Sequence, residues 1–82
     1  MIYLTCEKTL LDKGYEAIYN EKYIWCFKCN AYDIVYLKYL NDKDIYVFGF
    51  PLKMGGTYVT YYNNEQLDRL EKYVEDIVYN YL

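Results

Sequence analysis

The sequence predicts an α+β fold: a mostly antiparallel sheet of about five strands, with a C-terminal amphipathic helix packed on one face. A small barrel capped by the same helix is the alternative. Three observations predict it. Between residues 15 and 62, large side chains alternate along short runs, the period-two pattern of strands. Asn20-Glu21-Lys22, Asn41-Asp42-Lys43-Asp44 and Met54-Gly55-Gly56 divide those runs as turns do. Beyond residue 66 the period changes. Leu67, Leu70, Val74, Ile77 and Tyr81 recur at spacings of three, four, three and four, which is one stripe of a helix.

Each element has its own signal. Ile2 to Thr5 reads as a short strand, and Thr5 then caps a short helix with Glu7 in its first turn, Lys13 in its last and Gly14 at its end. The rival for this segment is a hairpin turning at Asp12-Lys13-Gly14. Tyr15 to Tyr19 and Tyr23 to Cys29 form a hairpin; the second strand sets Tyr23, Trp25 and Phe27 against Ile24 and Cys26. Tyr32 to Leu40 is the longest strand, with Tyr32, Ile34, Tyr36, Lys38 and Leu40 on one side. Ile45 to Phe50 follows and Pro51 closes it. Thr57 to Tyr62 is the last strand. Asn63 or Asn64 then caps a helix; Asn63 as N-cap places Gln66 at N3, a capping box, and Glu65–Arg69 and Asp68–Lys72 support the helix at i, i+4.

Eighty-two residues suit one domain, 1–82, with a thin core. Fourteen are tyrosine, whose ring favours burial and whose hydroxyl wants water or a partner. Lys outnumbers Arg eight to one and His is absent, so part of the tyrosine excess reflects A/T-rich coding. Net charge is −3. Residues 1–62 carry seven acids and seven bases; residues 63–82 carry five acids against Arg69 and Lys72. That balance disfavours general phosphate binding, which needs clustered Lys and Arg. The start lacks a basic region and a long apolar run, and no stretch approaches the roughly 20 residues of a membrane span. Three cysteines fit a reducing compartment. The expectation is a cytoplasmic protein with no membrane attachment.

Catalytic signals are weak. Cys26-Phe27-Lys28-Cys29 is a lone C-x-x-C, with only Cys6 and no His to complete a metal site. Along a strand, i and i+3 point to opposite faces, so the pair reads as ordinary apolar residues. Gly55-Gly56 lacks the Lys and Ser/Thr of a phosphate loop. No acid–base pair or nucleophile triad can be assembled, so the expectation is a non-enzymatic chain without cofactor or metal.

Several strands carry large groups on both faces. The aliphatic face (Ile24, Cys26, Ile45, Val47) is expected under the helix stripe. The aromatic face of Tyr23, Trp25, Phe27, Tyr46 and Phe48 is then left as an interface, for a partner protein or for a second copy in a homodimer. Glu71, Glu75 and Asp76 form an acidic cluster suited to a host protein with a basic surface. Single-stranded nucleic acid on the aromatic strands, with Lys28, Tyr36 and Lys38, is a less favoured partner, and a structural homo-oligomer subunit is a further alternative.

In size, acidity and low-GC composition the chain resembles the small single-domain inhibitors of phages and mobile elements, such as anti-CRISPR and other anti-defence proteins. The resemblance rests on no specific residue. It implies a protein-binding module that inhibits by covering a functional surface of a host protein.

Overall fold

A computed structural model describes residues 4–18, 26–28, 34–40 and 42–82, with side chains at 4–17, 35–40 and 42–82. The chain runs α1 (Thr5–Asp12), β1 (Glu16–Ile18), β2 (Cys26–Lys28), β3 (Ile34–Leu40), β4 (Ile45–Pro51), β5 (Thr57–Tyr62), a 3₁₀ turn (Asn64–Gln66) and α2 (Leu67–Asn80). The body is an antiparallel three-strand sheet, β3-β4-β5, with α2 on one face and α1 beside α2. Glu16–Ile18 and Cys26–Lys28 extend the order to β1-β2-β3-β4-β5, but over three residues each. The sequence expectation of about five strands is thus met in full length by three. The sheet stays open, with β1 and β5 at opposite ends, and is not a barrel.

The N-terminal segment is a helix and not a hairpin, and its end shows why. Tyr15 N–H donates to Leu10 O at 3.1 Å and Gly14 N–H to Leu11 O at 3.0 Å. With Gly14 at φ +104°, this is a Schellman cap that only glycine adopts without strain. At the other end, Leu4 is extended and Glu7 Oε1 accepts from its N–H at 2.7 Å. Thr5, expected as the cap, lies inside the helix. Ile2 and Tyr3 of the expected first strand lie outside the described residues.

The turn after β3 closes with Asp44 in the left-handed region at φ 53°. Its carboxylate accepts from Tyr39 Oη at 2.5 Å and from Asn64 Nδ2 at 2.6 Å, tying the turn to β3 and to the 3₁₀ turn. The capping box forms as read: Glu65 N–H donates to Asn63 Oδ1 at 2.9 Å and Asn63 N–H to Gln66 Oε1 at 3.0 Å. The first turn it caps is 3₁₀, and α2 begins at Leu67.

The core lies between α2 and one face of the sheet. Val35 and Leu37 from β3 and Phe48 and Phe50 from β4 meet Leu70, Val74 and Val78 from α2, with Cys6 and Leu10 of α1 closing one side. Tyr73 of α2 and Tyr81, just past its end, turn their rings onto this layer: Phe48–Tyr73 centroids are 5.9 Å apart at 87°, and Phe50–Tyr81 are 5.2 Å apart at 64°. The helix therefore covers the aromatic face, the reverse of the sequence expectation. The rings of Phe48 and Phe50 find edge-on partners there, whereas the other face carries Lys38 and Gly49. Among the described residues, no helix is long and apolar enough to cross a membrane.

Candidate functional site

The face left open is the opposite one. The strand register aligns it in rows. Tyr36 pairs with Gly49, which pairs with Val59; Lys38 pairs with Val47, which pairs with Tyr61; Leu40 pairs with Ile45. Directly paired residues share a face, so all eight stand on the side away from α2. Val47 and Gly49 are buried, and Tyr36, Lys38, Leu40 and Ile45 are half-buried. Tyr61 is 65% exposed and Val59 38%.

Gly49 gives this face its shape. It has no side chain, and a Cβ there would meet Val59 Cγ2 at 3.2 Å and Thr57 Cγ2 at 3.4 Å. Its neighbours therefore stand around a shallow hollow of about 200 Å³, floored by Gly49 and Val47 and walled by Tyr36, Lys38, Val59 and Tyr61. Lys38 Nζ lies 5.3 Å from the Tyr36 ring centroid, a cation–π arrangement on the same wall. Val47 is buried although it belongs to this face, because the long side chains of its row neighbours flank it.

A second hollow of about 220 Å³ continues past Tyr61 to Ile45, Asn63 and Gln66. The Asp44–Asn64 bond brings the β3–β4 turn to this end. Among the described residues of this turn and the 3₁₀ segment, Asp42, Asp44 and Glu65 are exposed, with Lys43 beside them. The open face is thus apolar in the middle and acidic at one rim.

The residues expected from sequence fall elsewhere. Tyr23 and Trp25 lie outside the described residues. The backbone of Phe27 pairs with Ala17 and Val35; its side chain is not among those described. Phe48 has no exposed surface, and Tyr46 is half-buried in the core layer, its ring 4.7 Å from that of Tyr39. Burial, and then Asp44, push the Tyr46 phenol above its ordinary range.

The three acids do not form one exposed cluster. Glu71 Oε1 accepts from Thr5 N–H at 2.8 Å, capping the start of α1. Glu75 is half-buried, and Cys6 feels its charge weakly. Asp76 is exposed and accepts from Asn80 Nδ2 at 2.8 Å. Glu71 and Asp76 are five residues apart, so they point to different sides of the helix.

Tyr36, Gly49, Val59 and Tyr61 were not singled out together by sequence, yet a signal existed. Lys38 shares its strand face with Tyr36 and Leu40, and a lysine marks the solvent side. Gly49 likewise marks the face of β4 that has too little bulk to centre a core.

The cysteines divide in the same way. The side chain of Cys26 and all of Cys29 lie outside the described residues. Cys6 is fully buried, and desolvation, followed by the charges of Glu71 and Glu7, pushes its thiol from the ordinary 9.0 up to about 12. Among the described residues no group of three His, Cys, Asp or Glu is placed to hold a metal ion.

Comparison with known proteins gives no relationship: no family model matches the chain, and no curated protein or solved structure matches it significantly.

Proposed function

We propose that this chain is a non-enzymatic protein-binding module whose binding surface is the open face of β3, β4 and β5. The observation that carries the proposal is the hollow over Gly49 and Val47, bordered by Tyr36, Val59 and Tyr61. Exposed aromatic and β-branched groups around a preformed hollow are what protein interfaces use as anchors. The acidic rim of Asp42, Asp44 and Glu65, in a chain of net charge −3, selects a partner with an apolar patch bordered by Lys and Arg. Occlusion of that basic surface is the mode of inhibition, of the anti-defence kind found in phages and mobile elements, that the chain's size and composition suggest.

Single-stranded nucleic acid is the second reading, favoured by one observation: Tyr36, Lys38 and Tyr61 share the open face. One lysine beside an acidic rim makes a poor electrostatic track for phosphates. The experiment captures host proteins on the wild-type chain and on Val59→Lys and Tyr61→Lys. Each protein lost with the variants is then purified and its affinity measured by calorimetry. Both variants should weaken binding at least about tenfold, the cost of burying one unpaired charge in an interface centre. Equal affinity for wild type and variants would overturn the reading. Binding of an oligonucleotide, lost on Tyr36→Ala, would favour the second.

A further inference from the structure

β5 ends the sheet, and its outer edge pairs with no described strand. The direction of its backbone groups follows from one hydrogen bond. Leu52 N–H donates to Gly56 O at 3.0 Å, which makes Pro51–Thr57 a non-hydrogen-bonded pair. By alternation, Phe50–Tyr58, Phe48–Thr60 and Tyr46–Tyr62 are the hydrogen-bonded pairs. The N–H and C=O groups of Thr57, Val59 and Tyr61 therefore point away from β4, into the open edge. The strand Thr57-Tyr58-Val59-Thr60-Tyr61-Tyr62 holds no charge, proline or glycine. It lacks the charged, proline and bulged positions by which sheet proteins keep an edge from pairing, and every residue is a strong strand former.

We propose that this edge pairs antiparallel with the β5 edge of a second copy, across a two-fold axis at Val59, joining two sheets into one. In this register Val59 meets its own copy and Thr57 meets Tyr61, so every outward N–H finds an outward C=O. Tyr58 then faces Thr60. Opposed residues stay on one face, and both helices lie on the same side of the joined sheet.

The sequence of the edge argues for a second copy over a foreign strand. Two-fold pairing sets the strand against itself, and a strand without charge then opposes no like charges. Thr57, Tyr58, Val59 and Tyr61 are exposed along it. A six-residue edge buries an area at or below the lower end of specific interfaces, so the dimer is weak and its population depends on concentration.

The test uses the unmodified chain, by sedimentation and residue-resolved amide exchange, from about 10 µM to about 1 mM, the range a small interface requires. The average mass should rise above the 10.0 kDa of one chain. The Thr57, Val59 and Tyr61 amides, fast when dilute, should slow with it, while those of Tyr58, Thr60 and Tyr62 are slow throughout. Val59→Pro removes an N–H that β4 does not use; it should stay monomeric with an unchanged far-UV spectrum. A strict monomer at the highest concentration, or a dimer that leaves those three amides fast, would overturn the proposal. Either result is independent of partner binding at the hollow. Should Val59→Pro fail to fold, exchange on the unmodified chain decides alone.

Discussion

Phe48 packs edge-on against Tyr73 and lies 5.7 Å from Phe50, with no surface left to solvent. Truncating it opens a cavity in the layer that holds α2 to the sheet, so Phe48→Ala should cost about 3–5 kcal/mol in chemical denaturation. Tyr61→Ala, on the open face, should cost under about 1 kcal/mol. That contrast measures which face is core. Cys6 offers a second residue-scale reading. Its folded pKa is raised above its unfolded value, so its contribution is complete below about pH 9 and is lost as pH climbs toward about 12. Tyr39, Tyr46 and Tyr73 are shifted in the same direction. Stability should therefore decline above pH 9, and Cys6→Ala should decline less steeply over that window, as urea midpoints across the alkaline range would show.

At the scale of elements, the two helices depend on caps drawn from different distances. The 3₁₀ turn that leads into α2 is capped locally by Asn63 and Gln66, and Asn63→Ala should cost about 1 kcal/mol. The start of α1 is capped by Glu71, which is distant in sequence. Glu71→Ala should cost a similar amount, about 1 kcal/mol, with Glu71→Gln between it and wild type, since the amide keeps the acceptor but loses the charge opposite the helix dipole. The difference in distance explains what was legible. The Asn63–Gln66 box could be read from spacing alone, as could the Gly14 end of α1 and, in its described residues Asp42–Asp44, the turn after β3. Glu71 read as part of a surface acidic cluster, because only the packing of α1 on α2 reveals its acceptor role. The covered face of the sheet was misread for a related reason. The mostly aliphatic stripe of α2 suggested an aliphatic partner, while Tyr73, beside the stripe, and Tyr81, its last member, meet the sheet through ring contacts with Phe48 and Phe50. Lys38 and Gly49, paired through the register to Val47 and Tyr36, carried the opposite signal.

For the whole molecule, covering the aromatic face with α2 turns the other face, centred on Gly49, into the available surface. Gly49→Val should fill its floor: the added Cβ already crowds Val59 at 3.2 Å. Partner affinity should fall by at least about tenfold through lost shape fit, as titration of the purified partner would show. The acidic rim adds a salt dependence, so raising ionic strength should slow association more than it speeds dissociation.

The most direct test of the binding face uses two tyrosines as a matched pair. Tyr61 on the open face is 65% exposed, and Tyr79 on α2 is 69% exposed. Hydroxyl-radical footprinting of the chain, alone and bound to its captured partner, compares their oxidation within one sample. The account predicts that Tyr61 becomes protected in the complex while Tyr79 oxidises as before. Protection of Tyr79 with Tyr61 unchanged would place the partner on the helix and contradict it.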